Sequence, residues 1–155
     1  MISLFKIPRH RLLIACSGML AVLIVLYAGA ALCAGPVRVE FVYDGDTIKA
    51  GGRVIRYIGI DAPEKGEPFY EEARQRNAEL LKGGEIKVVV CMGEPQDRYG
   101  RTLAWVYAGG VLVNGRLLAE GLARTLIIPP CGLEKVGELR RLERQARRAR
   151  LGIWR

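Results

Sequence analysis

The chain has 155 residues, 24 Lys and Arg against 16 Asp and Glu, a formal net charge of +8, and half its residues hydrophobic. That is room for one soluble domain once an N-terminal extension is set aside. Its only histidine is His10 and it has no Cys-x-x-Cys pair, which excludes a zinc site and any His-based catalytic triad.

The first element is a leader. Leu12 to Ala34 is a run of 23 residues without a charge, preceded by Lys6, Arg9 and Arg11. As a helix it would be about 35 Å long, enough to cross a hydrocarbon core. Basic residues before an apolar run mark an exported segment. Residues 1–35 are therefore expected to be a signal peptide or signal anchor, and residues 36–155 a domain in the periplasm or outside the cell. The length of the run favours an anchor through residues 12–34; the small-x-small site Ala28-Gly29-Ala30 favours cleavage. Cys16 and Cys33 fall in the leader, which leaves Cys91 and Cys131 in the domain. In an oxidising compartment two such cysteines are more often paired than free. The domain stays net basic, which suits nucleic acid or an acidic lipid surface, although a plain basic domain has the same balance.

Past Gly35-Pro36, Val37 to Tyr43 alternates as a strand, and Asp44-Gly45 signals a turn. Thr47 to Ala50 and Arg53 to Ile60 flank Gly51-Gly52, a hairpin signature. Glu67 to Lys82 reads as a helix with Pro68 in its first turn and Gly83-Gly84 ending it. Glu85 to Cys91 alternates again, and Thr102 to Tyr107 meets Val111-Leu112 across Gly109-Gly110. Asn114 reads as the N-cap of a helix ending near Gly121. Leu133 to Leu151 holds Val136, Leu139, Leu142, Ala146 and Ala149 on one stripe of a last helix, with Arg140, Arg141, Arg144, Arg147 and Arg148 elsewhere on its surface. The order predicts an α+β, mainly β domain with three helices. Five short strands with a helix inserted after the third suit a small closed barrel better than an open parallel sheet.

Three segments carry the chemistry: Asp44-Gly45-Asp46-Thr47, Arg56 with Asp61-Ala62-Pro63-Glu64, and Asp97-Arg98-Tyr99-Gly100-Arg101. Strict alternation puts Arg56 with Val54, Ile58 and Ile60, Arg101 with Leu103, Trp105 and Tyr107, and Asp46 with Ile48. A charge on a core-facing row needs an opposite charge or a ligand. Asp46 and Asp61, brought together, repel unless a cation sits between them, and their hard oxygens suit a calcium- or magnesium-type ion that keeps several waters. Each Asp could instead cap a turn, and for Asp44 that alternative stands level with a supporting role behind the ligands, where Thr47 is also placed. Arg56 and Arg101 offer planar paired donors matched to a phosphate, or ion pairs with Asp46 or Asp61. Glu64, aimed by Pro63, could take a proton from an attacking water.

These motifs, with the closing Leu151-Gly152-Ile153-Trp154, resemble the staphylococcal nuclease (thermonuclease) family from about Val37 to Trp154. The resemblance implies an OB-type five-stranded barrel with three helices and calcium-dependent hydrolysis of DNA and RNA leaving 3′-phosphate ends. By position it implies calcium on Asp46, Asp61 and the backbone carbonyl of Ala62, Glu64 acting on the attacking water, Arg56 and Arg101 gripping the scissile phosphate, and Tyr99 touching substrate. It also brings the Cys91 strand end beside the Cys131 loop, so that a bridge can form, with two thiols that never meet as the alternative. The protein is expected to be a monomer whose partners are DNA and RNA, and the membrane where the leader is uncleaved. The chain departs from the family at Ala62, where the type member has Thr, and at Ile127 and Pro129, where it has substrate-contacting tyrosines. Its Gly51-Gly52 hairpin and the loop after Glu64 are also shorter. A catalytically silent nucleic-acid-binding OB-type module, or a peptide- or lipid-binding module, would not need all five of Asp46, Arg56, Asp61, Glu64 and Arg101.

Overall fold

A computed structural model describes residues 37–155. The expected leader, its helix and its membrane role lie outside the described residues. Strands β1 (Val39–Val42), β2 (Thr47–Ala50) and β3 (Arg53–Tyr57) form an antiparallel meander. The two-residue turn expected at Gly51-Gly52 joins β2 to β3, with Ala50 opposite Arg53. After β4 (Ile60–Asp61) come helix α1 (Tyr70–Leu80), β5 (Ile86–Val90), β6 (Thr102–Ala108) and β7 (Val111–Leu112). Helix α2 (Val113–Ala119), β8 (Arg124–Thr125) and α3 (Val136–Arg148) complete the order.

The pairing corrects the expected closed barrel of five strands. The main sheet runs β1-β2-β3-β6-β5 with β7 on the edge of β6, and β4 with β8 makes a separate two-stranded ladder. The sheet is mixed: β3 runs parallel to β6, while β5 and β7 run antiparallel to it. Its ends, β1 and β5, share no ladder. Between them lies a groove lined by Val37, Val39, Leu81 and Ile86, which keeps the two edge strands out of hydrogen-bonding reach.

The expected strand Arg53 to Ile60 is broken at Gly59, whose backbone has φ 79°. A β-carbon there would also lie 2.5 Å from Leu139 Cδ1, so glycine satisfies both the turn and the contact. The break overturns the single alternating row. Ile55 and Tyr57 face the core, and Arg56 is on the other side of β3 with Val54. In β6 the alternation holds: Thr102, Ala104, Val106 and Ala108 are the inward row, and Arg101 keeps the row of Leu103, Trp105 and Tyr107, in which Trp105 is buried and the others are half-buried. Asp46 alone of the three charges is buried as the alternation demanded.

The core gathers Ile48, Ile55, Tyr57 and Val106 from the sheet with Leu117, Leu118 and Leu139 from α2 and α3. Each such aliphatic side chain contributes roughly 1.5–3 kcal/mol through burial. Helix α1 starts later than the sequence suggests. Glu64–Glu67 forms a turn, and Phe69 caps the helix in a left-handed conformation, so Pro68 lies before the first turn. The last helix is likewise shorter, because Leu133–Lys135 is a separate 3-10 turn. The closing segment docks on the end of α2, where Ile153 N donates to Gly121 O at 2.9 Å. Cys91, just past β5, is bonded to Cys131 before α3, with Cα atoms 5.8 Å apart.

Asn114 is not the N-cap; Leu112 holds that position. Asn114 is fully buried instead, with Oδ1 accepting from Val106 N at 3.1 Å and Nδ2 donating to Ile58 O at 2.8 Å. It pins α2 to β6 and to the turn that ends β3. An Asn114→Ala substitution leaves one N–H and one C=O without partners, each costing ~1–3 kcal/mol. Urea unfolding should show a loss of ~2 kcal/mol or more; a loss within ~0.5 kcal/mol, the range of a neutral surface change, would remove Asn114 from the structural framework.

Candidate active site

The site is built where the β1–β2 turn, the end of β3 and strand β4 converge. Asp44 shapes the turn, its Oδ1 accepting from Asp46 N at 2.9 Å, so the turn-capping alternative describes it. Gly45 lets the turn lie flat on the rest of the site. A β-carbon there would sit 2.6 Å from Ala62 Cβ and 2.9 Å from Ala73 Cβ. Behind the turn, Tyr57 OH donates to Asn77 Oδ1 at 2.9 Å, and Asn77 Nδ2 donates to Asp44 O at 2.9 Å. Neither Tyr57 nor Asn77 stood out as a site residue in the sequence. The available signal for Asn77 was a weak helix former in the middle of α1.

Arg56 is the centre. Its Nη1 lies 2.9 Å from Asp46 Oδ2 and its Nη2 lies 3.0 Å from Asp61 Oδ1. Nη1 also donates to the carbonyls of Tyr57 and Ile60, at 3.1 and 2.9 Å. The Asp46 side chain is only 6% exposed, while that of Asp61 is 48% exposed. Asp46 accepts further bonds from Ala62 N at 2.7 Å and from the Thr47 hydroxyl at 3.0 Å. Burial pushes the Asp46 carboxyl up to about 7, against the pull of Arg56 and with the help of neighbouring Asp44. It remains short of positive charge. Asp46, Asp61 and a backbone carbonyl are all hard oxygen donors, and they fit a divalent cation of the calcium or magnesium type. Among the described residues no group of three or more His, Cys, Asp or Glu is arranged to hold a metal.

Arg101 pairs with neither Asp46 nor Asp61. Its Nε donates to Asp97 Oδ2 at 2.7 Å, while Asp97 Oδ1 accepts from the backbone N–H of Tyr99 and of Arg101. Burial raises the Asp97 carboxyl, but these bonds outweigh it and hold it below its usual value. Tyr99 is exposed, with the guanidiniums of Arg98 and Arg101 within 4.8 and 5.4 Å of its ring centroid. Arg56, Arg101 and Tyr99 line one cavity of about 410 Å³, walled also by Leu103, Leu126 and Ile128. The chain thus presents Leu126 and Ile128 to this cavity, rather than the aligned positions Ile127 and Pro129.

Glu64 is exposed and lines a second cavity of about 330 Å³ with Asp61, Glu67, Phe69 and Arg124. Asp61, bonded to Arg56, lines this second cavity, while Arg56 itself lines the first with Arg101. Arg124, not singled out from the sequence, sits opposite Asp61 in the β4–β8 ladder.

A family model described as staphylococcal nuclease homologue matches residues 54–155. The chain is 36% identical over 128 residues to the SPbeta prophage-derived endonuclease YokF of Bacillus subtilis, covering 76% of this chain and 43% of that protein. It is 35% identical over 128 residues to endonuclease YncB of the same organism, covering 76% and 61%. It is 33% identical over 126 residues to the thermonuclease of Staphylococcus intermedius, covering 75% and 74%. The chain spans about half the length of the two Bacillus proteins.

The buried Asp46 makes a signed prediction. A carboxyl raised in the folded state adds stability below its unfolded value, near 3.8, and loses it as pH rises through about 7. Without divalent cation, Asp46→Asn should therefore gain stability relative to wild type as pH climbs from about 4 to about 7. Parallel thermal melts across that range measure the difference; a flat difference would show that Arg56 fully compensates Asp46.

Proposed function

The chain belongs to the staphylococcal nuclease family, and from that premise we propose that it is an exported, calcium-dependent nuclease that hydrolyses phosphodiester bonds of DNA and RNA and leaves 3′-phosphate ends. The observation that carries this reading is the Arg56 guanidinium bound to both Asp46 and Asp61, between a cavity shared with Arg101 and a second cavity that holds Glu64. A purely structural ion pair would not need a second guanidinium in the cavity of Arg56 and an uncommitted carboxylate in the cavity of Asp61. The nuclease names of the relatives support the same reaction class.

In this reading the scissile phosphate lies over Asp61, with Arg56 and Arg101 donating to its non-bridging oxygens. Those donors stabilise the charge that grows as the phosphorus becomes five-coordinate. Glu64 accepts a proton from the water that attacks phosphorus, and the P–O5′ bond breaks on the opposite face. The 5′ oxygen leaves with a proton, and the phosphate stays on the 3′ oxygen of the other fragment. Asp46, Asp61 and the Ala62 carbonyl would hold calcium, which supplies Lewis-acid charge beside the phosphate. Asp44 and Thr47 keep Asp46 in place.

The direct measurement is degradation of DNA and RNA by the purified protein with calcium and with chelator. Cleavage that needs calcium and is lost in Asp46→Asn, with the variant still folded, is expected. Binding without cleavage would make the domain a silent nucleic-acid-binding module, and wild-type rates in Asp46→Asn would show the metal site to be misassigned.

Arg101→Lys keeps a charge but loses the planar fork. It should slow hydrolysis at least tenfold, read as kcat/KM on a single-stranded oligonucleotide. A change under about threefold, or ~0.6 kcal/mol in the barrier, would leave Arg101 only its ion pair with Asp97.

A further inference from the structure

The cavity on the Glu64 side contains one cation that the proposed chemistry does not use. Arg124 stands directly across the ladder from Asp61, so the two side chains leave the same face of the β4–β8 pair. Yet Arg124 makes no ion pair among the described residues. Its guanidinium lies 5.7 Å from the Trp154 ring centroid, and Arg147 stacks on the same indole at 3.8 Å. It is exposed and lines the cavity with Asp61 and Glu64. A guanidinium held by an aromatic face, with no carboxylate of its own, keeps its fork of donors for an anion that enters the cavity.

In-line displacement tells which anion. The water activated by Glu64 attacks opposite the leaving 5′ oxygen. The downstream nucleotide must then point away from Glu64, into the cavity of Arg101 and Tyr99. The upstream nucleotide hangs on an equatorial oxygen, at a right angle to that axis, and of the two cavities near Asp61 the one lined by Glu64 and Arg124 is left for it. We propose that Arg124 binds the phosphate immediately 5′ to the scissile one and so fixes the upstream strand of the substrate. The proposal rests on the nuclease reading, and Arg124 acts by binding, with no proton or bond passing through it.

The test replaces the charge on either partner. A short oligonucleotide is made in three forms: unmodified, with a neutral methylphosphonate immediately 5′ to the cleaved linkage, and with the methylphosphonate immediately 3′ to it. Wild type should lose about tenfold in kcat/KM on the 5′-modified form, mostly through KM, as expected for one charge-assisted contact. Arg124→Gln should lose a similar factor on the unmodified form and nothing further on the 5′-modified form. It should remain fully sensitive to the 3′ modification. In a Glu64→Gln background, binding should lose ~0.7 from its salt slope when Arg124 is also changed, the value for one phosphate contact on a single strand. Arg124→Lys should restore part of both effects.

Equal losses of Arg124→Gln on the unmodified and 5′-modified forms would overturn the proposal and leave Arg124 as a support for Trp154. So would wild-type indifference to the 5′ modification, a readout that needs no variant to fold. A wild-type protein that cleaves none of the three forms fails the nuclease reading instead.

Discussion

The contact on which the site depends is one guanidinium between two carboxylates. Asp46 comes from the turn before β2, Arg56 from β3 and Asp61 from β4, and only Arg56 touches both acids. Without it, two negative groups would face each other, one of them almost wholly removed from water, and the turn would have reason to swing out. The arrangement is not balanced. Asp46 is buried enough that burial still outweighs Arg56, so the pair holds the site together while leaving an appetite for further positive charge. Buried ion pairs commonly carry such an imbalance, because desolvation can exceed the attraction between the partners.

The surrounding structure spends its polar groups on holding this triad still. Asp44 fixes the turn, and Asn77 with Tyr57 anchors the backbone of Asp44 from behind. Gly45 lets the turn close on Ala62 and Ala73 without a side chain in the way. The Ala62 N–H and the Thr47 hydroxyl orient the Asp46 carboxylate. These supports rise from strands and from α1 rather than from long loops, so the charges keep their spacing when the site is empty of substrate. Asp97 performs the same service for Arg101 through two hydrogen bonds to it and a third to the backbone N–H of Tyr99.

Charge then divides the surface around Asp61. One cavity has guanidiniums with Tyr99 and an aliphatic wall, and the other has carboxylates with Arg124. In the proposed reading, a substrate strand laid across Asp61 would meet cations near the phosphate to be cut, an acid beside the attacking water, and a further cation beyond. The order follows from the β4–β8 ladder, which sets Asp61 and Arg124 side by side although they are far apart in sequence.

The sequence by itself determined the family. The residue types and order of Asp46, Arg56, Asp61, Glu64 and Arg101 need no coordinates to suggest phosphodiester hydrolysis, and the strand order and the two-glycine hairpins were legible from alternation and turn chemistry. Local pattern failed where tertiary contacts override it. Arg56 shares a row with Val54 as alternation says, but the turn at Gly59 ends β3 before that row can continue to Ile58 and Ile60. Asn114 has the chemistry of a cap, but partners on β6 and the β3 turn claimed both ends of its amide. The expected closed barrel is an open sheet, with β1 and β5 as its ends and a groove between them. Asn77 and Arg124 were invisible for the same reason: their roles lie entirely in residues brought to them by folding. Side-chain chemistry is a property of each residue, and so the sequence states it. Which charge a given side chain meets is a property of pairs distant in the chain, and only the tertiary structure decides it.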